Sequence, residues 1–95
     1  MIKVNDIEIH DISELAAMSG LTELDLSGHE IFDISVLTLH TDLAKLDLSN
    51  NKIFDISALT VLTNLKELDL RGNPLDAKQI AQLRKILPNT EIIAD

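Results

Sequence analysis

"LTELDLSGHEIFDISVLTLHTD" at residues 21–42 lies over "LAKLDLSNNKIFDISALTVLTN" at residues 43–64 without a gap. The letters IFDIS occur at 31–35 and again 22 residues later at 53–57, and a looser IHDIS sits at 9–13. The apolar columns coincide: Leu21 with Leu43, Leu24 with Leu46, Leu26 with Leu48, Ile31 with Ile53, Ile34 with Ile56, Leu37 with Leu59. The next unit opens "LKELDLRGNPL" (65–75) and keeps Leu65, Leu68, Leu70 and Asn73. Backwards, Ile2, Val4, Ile9, Ile12 and Leu15 fall on the same columns. Self-similarity at such a period is the mark of a solenoid.

Each unit is half a solution. Alternation of the kind in "ELDLS" makes a short strand with one apolar face. The later Ile and Leu point inward from the return limb. One unit cannot cover its own apolar residues, so units must stack.

The pattern LxxLxLxxNxIxDIxxLxxLxx resembles the leucine-rich repeat, in the 22-residue form of internalin-like proteins, over nearly the whole chain. The resemblance implies an α/β repeat solenoid, with a parallel β-sheet on the concave face and turns or 3-10 segments on the convex face. A C-terminal capping helix closes it. The expectation is a single domain over 1–95, with units at about 1–20, 21–42, 43–64 and 65–89 and a terminal strand at 90–95.

Asp33 and Ser35, Asp55 and Ser57, and Asp11 and Ser13 read as caps where the chain enters each convex segment, because short polar side chains accept from free backbone N–H groups there. In the last unit Pro74 precedes Asp76, with Gln79 three residues on, a capping-box pattern. Ile80, Leu83 and Leu87 share one helical face, and Pro88 stops the helix. "LPNTEII" then echoes "LTNLKEL", so Thr90 is matched to Leu65 and Ile93 to Leu68, and this end reads as a natural closure. At the other end Met1–Asn5 is expected as an exposed edge strand, with Lys3, Asp6 and Glu8 discouraging further pairing.

The chain has two Phe and no Tyr or Trp, which disfavours nucleic-acid and sugar binding by stacking. It has no Cys, so disulfides and cysteine zinc sites are excluded. No signal peptide or membrane span is legible, and the chain is read as cytoplasmic. The net charge of −8 is uneven: residues 1–42 hold nine acids and one base, residues 43–95 seven of each. Such a field repels nucleic acid and anionic membranes and attracts basic partners; solubility alone is the plainer reading.

Within the strands, residues between the inward Leu positions face the concave solvent. Three columns result: Met1, Glu23, Lys45, Glu67; then Lys3, Asp25, Asp47, Asp69; then Asn5, Ser27, Ser49, Arg71. With strands about 4.8 Å apart the aspartates form a carboxylate ladder. Glu23, Asp25, Lys45, Asp47, Glu67, Asp69 and Arg71 are the candidate partner-binding residues, and the family's usual wording "LDLS" is the competing explanation. Phe32 and Phe54, aligned with His10, form either core fill or an apolar contact patch. His40 stands in the inward column of Leu62, with Leu39 expected to take over packing. His29 stands where Asn51 and Asn73 stand later and is expected to replace part of their backbone bonding. No nucleophile elbow, contrasting acid–base pair, cofactor or metal site is legible.

The sequence therefore points to a non-enzymatic protein-interaction module. It would bind a protein with a basic patch through the concave sheet or the acidic N-terminal half, as a monomer or a weak dimer through the N-terminal edge strand. The alternatives are an acidic decoy that inhibits a basic nucleic-acid-binding protein, or a scaffold without a native partner.

Overall fold

Leu24, Leu46 and Leu68 lie in register on adjoining parallel strands. The computed structural model describes residues 2–4, 7–9 and 11–95 of the chain. Strands β3 (Glu23–Asp25), β4 (Lys45–Asp47), β5 (Glu67–Asp69) and β6 (Glu91–Ile93) form one parallel sheet in chain order. Pairing continues past the strands, with Leu26 N–H donating to the Asp47 carbonyl (2.8 Å) and Leu48 N–H to that of Asp69 (2.9 Å). The Leu of each Glu/Lys-Leu-Asp triplet turns inward while its neighbours turn out, as the period of two requires.

The return limbs are short because a 22-residue coil leaves little length for them. They hold 3-10 segments at Ile12–Ala17, Ser35–Leu39 and Ser57–Val61. Ile12 and Leu15, Ile34 and Leu37, and Ile56 and Leu59 are buried against the strand leucines in one continuous core. The entry to each segment is closed as the sequence suggests. The Asp11, Asp33 and Asp55 carboxylates accept from the backbone N–H of Ser13 (2.7 Å), Ser35 (2.9 Å) and Ser57 (3.0 Å).

Between strand and return limb the chain bends through left-handed backbone at the equivalent positions Gly28 (φ 72°), Asn50 (φ 58°) and Gly72 (φ 74°), and the second coil adds a further such residue at Glu30 (φ 57°). A Cβ on Gly72 would run into the Asn50 side chain, so only glycine fits there. Asn51 ties the bends together. Its Nδ2 donates to the carbonyls of Leu26 (2.9 Å), Leu48 (2.9 Å) and Ser49 (3.2 Å). Its Oδ1 accepts from His29 N–H and Ile31 N–H, both at 3.0 Å. Asn73 repeats the device one coil later, bonding the Leu48 carbonyl and Ile53 N–H.

Helix α1 (Ala77–Ile86) carries the capping box at Asp76 and Gln79, with the Gln79 N–H donating to Asp76 (2.8 Å) and the Asp76 N–H to Gln79 Oε1 (3.0 Å). Ile80 and Leu83, with Leu87 just beyond, are buried and cover the last coil.

Three expectations need correction. Ile2–Val4 (β1) is not an edge of the parallel sheet; it pairs antiparallel with Ile7–Ile9 (β2) in a separate two-stranded sheet. "IKV" and "IEI" alternate on either side of only Asn5-Asp6, so a local hairpin wins over a distant parallel partner. The outer strand at this end of the parallel sheet is β3, and Met1, Asn5, Asp6 and His10 lie outside the described residues. At the other end Leu68 pairs with Ile92, not Ile93. One residue of slip exchanges faces, so Ile92 is buried and Ile93 turns toward the concave side. Finally, His40 is only 5% exposed while Leu39 is 64% exposed, the reverse of the expected exchange. His40 Nε2 donates to the Leu15 carbonyl at 3.0 Å. The imidazole thus fills the Leu62 column and ties the second coil to the first.

Replacing Leu46, 2% exposed, by Ala should lower unfolding free energy by about 2–5 kcal/mol in urea titration; a negligible loss would show the inward register to be wrong. Asn51→Ala strands several buried backbone groups at once and should lower it by about 3 kcal/mol, more than Asn73→Ala at its less buried site. Equal small losses would contradict the role given to this amide.

Candidate functional site

Four strands each present alternate residues outward, and this places Glu23, Lys45, Glu67 and Glu91 in one concave row. The next row is Asp25, Asp47, Asp69 and Ile93. Glu23, Asp25, Lys45, Asp47, Glu67 and Asp69 line a concave trough of about 500 Å³. Arg71 follows β5 and joins the group through Asp69. The first two expected rows are present from Glu23 onward; the third is not a solvent-facing row, since Ser49 is buried and Ser27 and Ser49 do not line the trough. Met1 and Asn5 lie outside the described residues, and Lys3 is on the separate hairpin.

The two cations are already engaged. Lys45 Nζ sits 3.8 Å from Glu23 Oε1 and 3.9 Å from Glu67 Oε2, bridging three strands. Arg71 grips Asp69 with two bonds, Nη2 to Oδ2 at 2.7 Å and Nε to Oδ1 at 3.1 Å. This guanidinium pairing holds the Asp69 carboxyl below its usual range.

The ladder aspartates also have a structural duty that the sequence reading missed. Asp25 Oδ1 accepts from Ser27 N–H (3.0 Å) and its hydroxyl (2.7 Å). Asp47 Oδ1 does the same with Ser49 N–H (3.0 Å) and hydroxyl (2.7 Å), and Asp69 Oδ1 accepts from Arg71 N–H (3.1 Å). The spacing was available as a signal: Asp-Leu-Ser in the strand exit copies Asp-Ile-Ser at the return limb. Among the described residues, Oδ2 of Asp25 and of Asp47 accepts no hydrogen bond.

Phe32 and Phe54 do not join this trough. They stand at the entries of the return limbs, 62% and 60% exposed, and are not core fill. The His29 ring is exposed and makes no hydrogen bond among the described residues, so it does not replace the asparagine amide; only its N–H is tied, to Asn51. Among the described residues no cluster of His, Asp and Glu is arranged to hold a metal ion. No described helix is long and apolar enough to cross a membrane.

A family model for leucine-rich repeats in two copies matches residues 41–88, about half of the chain. The chain belongs to the leucine-rich repeat family, and its repeats are of the internalin-like kind. Among solved structures it is similar to the internalin InlF of Listeria monocytogenes, with a TM-score of 0.76 and 31% identity over 90% of this chain and 26% of that one. Internalin C2 of the same organism gives 0.76 and 30%, over 95% of this chain and 38% of that one. A leucine-rich repeat protein of Leptospira interrogans gives 0.53 and 29%, over 76% and 25%. The chain thus spans between 25% and 38% of the length of these solved relatives. No curated protein matches it. Leucine-rich repeat domains generally mediate protein–protein contacts and are generally not enzymes.

The return-limb aspartates yield a pH prediction. The backbone N–H groups, then the hydroxyls, of Ser13, Ser35 and Ser57 hold Asp11, Asp33 and Asp55 below the usual carboxylate range. A folded pKa below the unfolded value stabilises above about pH 4, and that stabilisation is lost as pH falls through the folded pKa. Asp33→Asn with Asp55→Asn keeps the accepting oxygen and removes the titration. Its urea midpoint should therefore fall less than wild type between about pH 6 and about pH 3; an equal fall would count against the assignment.

Proposed function

We propose that this chain is a non-catalytic protein-binding module whose concave sheet receives a segment bearing lysine or arginine. One observation carries the reading. The trough presents five carboxylates, Glu23, Asp25, Asp47, Glu67 and Asp69, while its two cations, Lys45 and Arg71, are both held by carboxylates of the same face. Asp25 and Asp47 are neighbours across β3 and β4, and each keeps an oxygen without a protein donor among the described residues. A cationic side chain placed between them relieves their mutual repulsion and completes their hydrogen bonding. The Ser27 and Ser49 bonds already fix the carboxylates, so little side-chain entropy is lost on binding.

Exposed ion pairs are individually weak and screened by salt. The concave interaction is therefore expected to be moderate in affinity, with charge setting the partner class.

The test is quantitative affinity capture from the source lysate by wild type and by an Asp25→Asn, Asp47→Asn variant. Asparagine retains the turn-closing oxygen, so the variant should keep its thermal transition. Basic proteins held by wild type should be depleted by about tenfold on the variant. Equal recovery on both would remove the concave carboxylates from the proposal.

A further inference from the structure

Phe32 and Phe54 are the chain's only aromatic residues, and both are largely exposed at equivalent places on successive coils. The core does not need them, since Ile31, Ile34, Ile53 and Ile56 on either side of them in sequence are buried. Two grooves run beside them. One, of about 460 Å³, lies between the first return limb and the second coil and includes Asp11, Glu30, Phe32 and Asp33. The other, of about 310 Å³, lies between the second and third coils and includes Phe32, Asp33, Phe54 and Asp55. They share Phe32, Asp33 and Ser35, so they form one interrupted channel across the coils. Four carboxylates rim it, and among the described residues no lysine or arginine lines it.

From this we infer a second docking surface, separate from the concave sheet, that takes a protein segment alternating arginine with aliphatic residues. The aliphatic side chains enter the grooves beside the rings. The guanidinium groups lie against the Phe faces, where cation–π attraction adds to charge, and reach the aspartates between them. Asp33 is close enough to Asp11 and to Asp55 for their charges to repel, and a cation between them removes that repulsion. Each of these aspartates is held in place by its serine N–H, so the rim is preorganised. A second copy of the chain would bring a like-charged rim against this one, and an anionic membrane would be repelled; a basic protein segment meets neither objection. Aromatic anchors with a charged rim are also the composition of binding hot spots.

The experiment uses a short synthetic peptide of alternating arginine and leucine, labelled for fluorescence anisotropy, with three variants of the full chain. Phe32→Ser with Phe54→Ser, and separately Asp33→Asn with Asp55→Asn, should each weaken peptide binding by about tenfold or more. Asp25→Asn with Asp47→Asn removes whatever share of the peptide binds at the concave sheet and should leave the Phe-dependent binding in place, so failure here is distinct from failure of the concave proposal. The Phe positions are solvent-facing, and an unchanged thermal transition will show that the fold is intact. Wild type that does not bind the peptide, Phe variants that bind like wild type, or loss confined to the concave variant would each overturn the inference. So would sedimentation showing that unliganded wild type self-associates through these Phe residues.

Discussion

A coil of this length can bury its inward leucines only against another coil, and the parallel pairing of Leu24 with Leu46 and Leu46 with Leu68 is how that burial is achieved. Everything else in the molecule is arranged around keeping this register. The asparagine amides at 51 and 73 do so most directly, because each bonds backbone groups of two successive coils at once. A coil shifted by one residue would break those bonds and turn a leucine row to solvent. Register is therefore fixed from two sides, by apolar burial and by buried amide hydrogen bonds. The second term discriminates more sharply, since an unmatched buried polar group is costly while a shifted leucine can partly repack.

A stack of coils has two ends, and each end uses a different device. At the C-terminus a helix with a complete capping box lays Ile80 and Leu83 over the last coil. At the N-terminus the chain turns back on itself as a hairpin, and Val4 is buried with the core. His40 belongs with this end. Its imidazole occupies a leucine column, yet reaches the Leu15 carbonyl in the first return limb, which a leucine could not do.

The interior of the array was legible because two independent patterns coincide there: alternation within a strand and repetition between coils. Where one of them is missing, the reading loses precision. At "EII" two consecutive isoleucines satisfy either face, so hydrophobicity cannot choose between Ile92 and Ile93 as the partner of Leu68; only the backbone ladder does. At residues 2–9 the alternation is real, but its repeat partner lies far away in sequence while an antiparallel partner is immediately adjacent. Phe32 and Phe54 show a third limit. An apolar letter next to an inward isoleucine looks like core until the backbone direction is known, and the return limb points it outward. The candidate concave residues were legible as a face because they sit between inward leucines. Their turn-closing bonds were not assigned, although "DLS" has the spacing of "DIS".

That shared spacing bears on how the acidic surfaces relate to the fold. Asp11, Asp25, Asp33, Asp47, Asp55 and Asp69 each accept from the N–H two residues ahead, at 2.7–3.1 Å. The same local device thus appears at the strand exit and at the return-limb entry of successive coils. Because the coils stack in register, it writes one row of fixed carboxylates on the concave face and another beside the phenylalanines. Each row repels itself, and the repulsion is tolerated because every carboxylate has local donors. In the concave row Arg71 adds a cation at one end, on Asp69, and in the outer row no cation lines the grooves among the described residues. Acidity at these positions follows from turn closure before any partner is considered, so charge alone would not distinguish a binding surface from a well-capped solenoid. The feature that turn closure leaves unexplained is the exposed aromatic pair, and the outer face is for that reason the stronger physical case for recognition beyond the fold's own needs.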